Sequence, residues 1–199
     1  YISDSVIVGN AIGTDATGTI DLGNGAGGIL IQPFGGYPGT GPTVNNRIGG
    51  TTAAETNIIA YNGKTDPVDI FGVSILGDNI TPDYLNPILG NSIFNNIGNG
   101  INLQDSGNNN QIPPTITSFA VNPSNNHVRV TATAPASPAA SNFRLEFFVT
   151  DINRNPITEG QRFLGAIPSV PSGSTASAEF TVPAPAVLPL TWASATATN

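Results

Sequence analysis

The hydrophobic positions in the first half of the chain occur in short runs, and each run ends at glycine or asparagine. Residues 8–31, VGNAIGTDATGTIDLGNGAGGILI, contain seven glycines and two asparagines between the Val, Ile and Leu positions. An amphipathic helix would instead repeat its apolar residues every three to four positions. The pattern therefore predicts short β-strands joined by sharp corners, because glycine and asparagine tolerate the positive φ that a corner requires.

Two sequence units recur in this half. Asn-x-Ile occurs at Asn10, Asn46, Asn57 and Asn91, and Gly followed by alternating aliphatics occurs at Gly28, Gly72 and Gly100. Two insertions, at residues 33–45 and 63–71, lengthen the spacing between the first two Gly units. Strands and corners that alternate in this way predict a parallel β-solenoid of about two and a half coils, with aliphatic residues stacked from coil to coil.

We expect the recurring asparagines to form amide ladders along a corner, with Asn57 and Asn91 stacked on each other. By contrast, the asparagines of GNNNQ at residues 107–111 are expected to be exposed and to tolerate change. A glycine-rich flexible linker and an antiparallel sandwich remain the alternatives to the solenoid.

The second half alternates strand-like stretches with Pro- and Ser-rich turns. Six stretches with period-2 alternation lie at residues 115–121, 127–133, 143–150, 162–169, 177–182 and 191–198. Their spacing of about 12–16 residues and their proline-bounded ends are typical of an antiparallel, immunoglobulin-like β-sandwich.

The stretch FRLEFF predicts which side chains enter the core of this sandwich. Phe143, Leu145 and Phe147 alternate with Arg144, Glu146 and Phe148, so each set lies on one face of a strand. Phe180 and Trp192 are expected to complete the core. We therefore expect the fold to depend on Phe147 and Trp192 much more than on Phe148.

Composition separates the two halves. Twenty of the 23 glycines lie before Ile112, whereas 11 of the 17 prolines follow it. We predict an all-β protein with two domains: a parallel β-helix over residues 1–111 and a β-sandwich over residues 112–199. Because the sequence starts at Tyr1 and contains no Met, we expect a processed product or a fragment.

Three stretches also carry a resemblance to a known family: VIVGNAIGTDATGTIDLGNGAGGILI, NNRIGGTTAAETNIIAYNG and ILGNSIFNNIGNGINL. They resemble the right-handed parallel β-helix repeats of bacterial secreted and surface proteins, which share the pectate-lyase-like fold. The stretch FRLEFFVTDINRNPITEGQRFLG is similar to the sandwich-like extension that follows such repeats. The resemblance implies a right-handed β-helix and an extracellular location.

Charge excludes several classes of function. The net charge is −7 with six Lys and Arg, so the chain has no basic patch for nucleic acid or for an anionic membrane surface. No apolar run reaches the ~18–20 residues that cross a bilayer. The absence of cysteine excludes disulfides and thiolate metal sites.

The residues that polysaccharide-cleaving enzymes need are sparse. A lyase needs a basic residue, usually with Ca²⁺ held by several carboxylates, and a glycosidase needs two carboxyl groups across the scissile bond. Residues 1–111 contain two basic side chains and no histidine. Their nine carboxylates do not recur at the repeat spacing: Asp4, Asp15, Asp21, Glu55, Asp66, Asp69, Asp78, Asp83 and Asp105. We therefore predict no catalytic residues, no cofactor and no enzymatic activity.

Several single residues and short motifs allow either a structural or a functional interpretation. Asp15 and Asp21 could bind Ca²⁺, although their spacing matches no calcium motif and aspartate is common in turns. We expect His127 at the surface and Glu159 in a turn or paired with Arg162. Asn79 starts a glycosylation tripeptide that an Asn-rich chain contains by chance. Four loop aromatics could stack on sugars or pack within their own loops: Phe34, Tyr37, Tyr61 and Tyr84.

The sequence favours a non-catalytic structural or adhesive protein of a bacterial surface, matrix or filament. The alternative is a carbohydrate-active protein, either degenerate in activity or glycan-binding. The predicted partners are extracellular glycans and further β-structure at the N-terminal end of the solenoid, from a longer chain or a second copy. We expect the sandwich to cover the opposite end.

Overall fold

The described residues form fifteen β-strands and two short 3₁₀ turns, with no α-helix. The structure is a computed structural model, and it describes residues 2–33, 43–66, 68, 70–77, 84–122, 124–138, 140–150, 159–182 and 192–199. The side chain of Trp192 is outside this description. The protein is all-β, with both parallel and antiparallel sheets, and it divides into two compact units, Tyr1–Gln111 and Ile112–Asn199.

The first unit consists of three parallel three-stranded sheets that the chain visits in the same order three times. We call each visit a rung. The first rung is β1 (Val6–Ile7), β2 (Ala11–Ile12) and β3 (Ile29–Ile31), and the second is β4 (Arg47–Gly49), β5 (Ile58–Ala60) and β6 (Val73–Leu76). The third rung is β7 (Ile88–Leu89), β8 (Ser92–Phe94) and β9 (Ile101–Gln104). The sheets are β1-β4-β7, β2-β5-β8 and β3-β6-β9.

Aliphatic side chains stack from rung to rung, as the sequence predicts. Ile29 lies beside Val73 and Val73 beside Ile101, so the three Gly-aliphatic units form one sheet. The buried cluster of this unit consists of isoleucine and valine: Ile29, Ile31, Ile48, Ile59, Val73, Ile75, Ile88 and Ile93. The apolar residues of the middle rung are the best buried because a rung covers them on both sides.

Glycine is required where one rung approaches the next. Gly49 has a φ of +78°, and a Cβ atom there would overlap the carbonyl oxygen of Leu89 and the side-chain amide of Asn91. Larger residues are therefore excluded from this corner, both by its positive φ and by the overlap that their Cβ atom would cause. The glycine-rich pattern thus has a steric cause at this position.

The second unit contains six longer strands in two antiparallel sheets. They are β10 (Thr115–Asn122), β11 (His127–Thr133), β12 (Asn142–Thr150), β13 (Arg162–Pro171), β14 (Thr175–Thr181) and β15 (Trp192–Thr198). The sheet orders are β10-β11-β14 and β13-β12-β15. All six strands predicted from the period-2 pattern are confirmed, with ends that shift by at most two residues.

One hydrophobic cluster draws on both sheets of this unit. Val128 and Val130 come from one sheet, and Phe143, Leu145 and Phe147 come from the other. The predicted register of β12 is therefore confirmed, and Phe180 packs against the cluster with its ring 5.6 Å from that of Phe147. The prediction for the side chain of Trp192 lies outside the described residues.

We expected the fold to depend on Phe147 much more than on Phe148, and the burial of the two side chains contradicts this expectation. Phe147 is fully buried, but Phe148 is also only 4% exposed on the opposite face of β12. Its ring lies 5.5 Å from that of Phe163 and packs against Gly160. Glu146 is fully buried on this face as well, with Arg144 at 2.8 Å. Both faces of β12 are covered.

Candidate functional site: asparagine ladders and the first-rung edge

Asparagine side chains link the three rungs along one corner, which we call ladder 1. It consists of Asn10, Asn57 and Asn91, each directly before a strand of the β2-β5-β8 sheet. The Oδ1 atom of Asn57 accepts bonds from the backbone N–H and the Nδ2 of Asn10, both at 3.0 Å. Asn57 Nδ2 donates to Asn91 Oδ1 at 2.9 Å and to the carbonyl of Ile7 at 2.8 Å. The predicted stacking of Asn57 and Asn91 is confirmed.

A second corner contains ladder 2, formed by Asn24, Asn62 and Asn96, which the Asn-x-Ile pattern did not predict. Asn24 Nδ2 donates to Asn62 Oδ1 at 2.8 Å, and Asn62 Nδ2 donates to Asn96 Oδ1 at 2.9 Å. Asn62 and Asn96 each follow a ladder 1 residue by five positions, and this spacing is the signal that would have revealed them. In the first rung Asn24 follows Asn10 by 14 positions, so the spacing of five is hidden.

The third corner corrects two expectations. Asn46 does not join ladder 1; it stacks with Asn86 and Asn108 in ladder 3, next to the β1-β4-β7 sheet. Asn86 begins a further Asn-x-Ile unit, Asn86-Pro87-Ile88, beyond the four predicted ones. Asn108 was expected to be exposed and tolerant, but its Oδ1 accepts from the Asn86 N–H at 3.1 Å. Its Nδ2 donates to the carbonyl of Asn86 at 2.7 Å.

The ladders are buried and they have a direction. Six ladder asparagines have at most 3% of their surface exposed: Asn46, Asn57, Asn62, Asn86, Asn91 and Asn96. In each step of ladders 1 and 2, the earlier residue donates through its backbone N–H and its Nδ2, and the later residue accepts through Oδ1. Ladder 3 repeats this from Asn46 to Asn86, but in its last step the Asn86 Nδ2 donates to the carbonyl of Thr43 instead of to Asn108. Burial makes these bonds necessary, since an unpaired amide in the interior costs about 1–3 kcal/mol.

The first rung ends the stack with an open edge. β1, β2 and β3 each lie at the end of their sheet and have no strand partner on their outer side among the described residues. Asn10 and Asn24 are exposed, and no donor to their Oδ1 atoms occurs in the described part of the chain. Val6, on this edge, is 55% exposed. The edge therefore presents strands with one unpaired side, and beside them amide acceptors and an apolar side chain that another strand could cover.

The opposite end of ladder 1 differs in exposure. Asn91, in the third rung, has 3% of its surface exposed, whereas Asn10 is exposed in the first rung. Only the first-rung end of this ladder is therefore open to solvent. The predicted cover by the second unit stays a prediction.

Asp15 organises a turn. Its Oδ1 accepts from the backbone N–H groups of Thr19 and Ile20, both at 2.9 Å, and its Oδ2 accepts from the hydroxyl of Thr17 at 2.6 Å. Hydrogen bonds lower the pKa of Asp15 well below its usual range, and the bond from the Thr17 hydroxyl contributes most, with the bond from the Ile20 N–H second. Donors thus surround the carboxylate, in a pattern typical of an Asx turn rather than of a calcium site.

Two other carboxylates of the first unit are held by its two basic residues. Asp21 lies 2.5 Å from Lys64, whose hydrogen bond lowers the pKa of Asp21, with a further bond from the Gly23 N–H. Glu55 lies 2.9 Å from Arg47. The pKa of Glu55 is lowered most by the hydrogen bond from the Thr52 hydroxyl and next by the bond from Arg47. Within the described part of the chain, no group of three or more His, Asp or Glu side chains could hold a metal ion.

Three further candidates of the first unit, Asp4, Asp66 and Tyr61, have structural contacts. Asp4 accepts from Asn45, and Asp66 accepts from the Val68 N–H. The ring of Tyr61, at the end of β5, packs edge-on against Phe94 of the next rung, with the ring centres 5.9 Å apart. Five predicted or weighed positions lie outside the described residues: Phe34, Tyr37, Asp69, Asp78 and Asp83. Asn79 does as well.

Both weighed polar residues of the second unit, His127 and Glu159, make contacts. His127 Nδ1 is 2.9 Å from Glu179 on the neighbouring strand, and the His127 side chain is 38% exposed, in agreement with its predicted surface position. The carbonyl of Glu159 accepts from the Ser194 hydroxyl at 2.9 Å. In the residues that the structure covers, no helix has the length and apolar character of a membrane-spanning segment.

Comparison with known proteins gives no relative. No protein-family model, no curated protein and no solved structure matches this chain. The resemblance to bacterial β-helix repeats therefore stays an expectation from the quoted sequence stretches.

Proposed function

We propose that the first unit is a short right-handed parallel β-helix in which each rung is one coil, and that the second is an immunoglobulin-like β-sandwich. Three observations support the β-helix: the same order of sheets in every rung, the parallel register, and the asparagine ladders. Right-handedness follows from the usual hand of crossovers between parallel strands. Two antiparallel sheets that share one core support the sandwich.

On this scaffold we propose a non-catalytic structural or adhesive role. The observation that carries the proposal is the use of polar residues in the first unit. Its buried amides join rung to rung, and its two basic side chains each hold a carboxylate. General acid–base chemistry needs such groups free to exchange protons with a substrate. The extracellular location rests on the resemblance to secreted and surface proteins.

We propose that the protein acts through its first-rung edge, which would accept another β-strand from a further coil or a second copy. In the first rung, the Oδ1 atoms of Asn10 and Asn24 occupy the position at which the Oδ1 atoms of the second-rung ladder residues accept N–H groups. An incoming strand that donates there would extend two ladders by one step. Edge pairing of this kind is how uncapped sheets associate.

A charge on the edge strand tests this proposal. Val6→Lys should reduce self-association of the purified chain, measured by sizing and electron microscopy across a range of concentrations, because lysine on an edge opposes strand addition. Val68→Lys is the matched control, since Val68 is 78% exposed and lies outside the strands. A chain that stays monomeric at every concentration, or equal effects of the two lysines, would contradict the edge proposal.

A separate assay tests the absence of catalysis. Incubation with a panel of plant and bacterial polysaccharides should release neither reducing sugars nor unsaturated uronates. Binding on a glycan array without turnover would support an adhesive role toward glycans. Turnover that a single Asp→Ala or Glu→Ala change in the first unit abolishes would overturn the proposal and favour the carbohydrate-active alternative.

A further inference from the structure

Three Asn-Gly pairs in the described chain differ in how well their amides are held. Asn-Gly is the sequence at which asparagine most readily loses its amide, because glycine has no side chain to hinder attack by its backbone nitrogen. The pairs are Asn24-Gly25, Asn62-Gly63 and Asn99-Gly100. Asn62 belongs to the buried part of ladder 2, and Asn24 ends the same ladder at the open edge.

Asn62 is protected at each atom that the reaction uses. It is fully buried, its Nδ2 donates to Asn96 and its Oδ1 accepts from Asn24. The backbone N–H of Gly63, which would attack, donates to the carbonyls of Asn24 and Ala26 at 3.1 and 2.8 Å. The amide group and the nucleophile are both fixed in other bonds.

Asn24 lacks this protection. Asn24 and Gly25 are both exposed, and the Gly25 N–H has no acceptor among the described residues. One bond from the Asn24 side chain, from Nδ2 to Asn62 Oδ1 at 2.8 Å, restrains its amide. The nucleophile is therefore free and water reaches the site.

We propose that Asn24 is a site of spontaneous deamidation whose product weakens ladder 2. The Gly25 nitrogen loses its proton to hydroxide and attacks Cγ of Asn24, so that a Cγ–N bond forms. The Cγ–Nδ2 bond breaks, and the amide leaves as ammonia after taking a proton from water. Water then opens the resulting succinimide at either carbonyl, which gives aspartate or isoaspartate at position 24.

The product conflicts with the ladder because the donor becomes an acceptor. A carboxylate oxygen then replaces Nδ2 and faces Asn62 Oδ1, so two acceptors meet where one bond existed. Asn99 provides the comparison, since it is exposed and its side chain makes no hydrogen bond in the described structure. Conversion of Asn99 adds a charge but removes no ladder contact.

Mass spectrometry of peptides from the full chain, aged at mildly alkaline pH, tests the proposal. We expect a gain of one dalton at Asn24 and at Asn99, with Asn62 unchanged over the same period. Loss of amide at Asn62 as fast as at Asn24, or an intact Asn24 after Asn99 has converted, would overturn the assignment.

A pair of variants tests the consequence for the ladder. Asn24→Asp should increase backbone hydrogen exchange in peptides that cover residues 21–33, and Asn99→Asp should leave the exchange of its own peptide unchanged. Equal exchange in Asn24→Asp and the unmodified chain would refute the weakening of ladder 2.

Discussion

Replacement of Asn57 by leucine removes the most connected residue of ladder 1. The side chain of Asn57 is fully buried and makes four hydrogen bonds, two through Oδ1 to Asn10 and two through Nδ2 to Ile7 and Asn91. Leucine has a similar size but can make none of them. The change thus tests the hydrogen bonds with little change in volume.

The expected cost follows from what each abandoned partner does next. Asn10 is exposed, so its backbone N–H and its Nδ2 can donate to water instead. Asn91 Oδ1 keeps the backbone N–H at position 57, at 3.3 Å. The carbonyl of Ile7 loses its Asn57 Nδ2 donor. The unpaired Ile7 carbonyl should cost about 1–3 kcal/mol, and the lost bond from Asn57 Nδ2 to Asn91 Oδ1 about 1 kcal/mol. The unfolding free energy should therefore fall by about 2–4 kcal/mol.

Asn99→Leu is the matched control, because Asn99 is exposed and belongs to no ladder. Its effect should lie within about 0.5 kcal/mol of zero, as for surface changes in general. Urea unfolding gives the free energies, and hydrogen exchange of peptides from residues 5–77 assigns the loss to the first unit. Equal losses in the two variants would refute the ladder as a source of stability.

The double variant with Asn91→Leu separates the pair from its surroundings. If Asn57 and Asn91 stabilise each other, the two changes together should cost less than the sum of the single changes, by about 0.5–3 kcal/mol. Strict additivity would show that the bond between them contributes nothing.

Two further predictions concern other parts of the fold. Phe148→Ala should destabilise the second unit by about 3–5 kcal/mol and Phe163→Ala by much less, because Phe148 is buried and Phe163 is 38% exposed. Urea unfolding followed by the fluorescence of the single tryptophan measures both, and equal losses would contradict the burial of Phe148. For Asp15 the folded pKa is lowered, so its stabilisation is complete above the unfolded pKa of about 4 and is lost as the pH falls through the folded pKa. The stability difference between the unmodified chain and Asp15→Asn should therefore shrink between about pH 5 and pH 2, and a constant difference would contradict the turn geometry.

Much of the strand content could be predicted because the two halves use different and regular patterns. Period-2 alternation over six or more residues, as in β12, predicts a strand and its inward face directly. The Gly-aliphatic units likewise predicted β3, β6 and β9. The predicted two and a half repeats became three rungs because β1 and β7 have two residues each, too few to show a pattern.

What the sequence could not predict depends on neighbours distant in the chain. Asn46 and Asn57 both precede x-Ile, yet they belong to different corners, and only the register across about 40 residues separates them. Asn108 lies in a run of four polar residues that resembles a solvent-exposed turn, and its role depends on the position of Asn86. Burial of Phe148 likewise depends on Phe163 of the neighbouring strand.

Exchange of the side-chain amides, observed by nuclear magnetic resonance, tests most directly the claim that buried asparagines hold the rungs together. The Nδ2 protons of Asn57, Asn62, Asn91 and Asn96 should exchange slowly with solvent, because each is buried and bonded to a neighbouring rung. Those of Asn99 should exchange at the rate of a free amide. Ladder amides that exchange as fast as Asn99 would contradict the account.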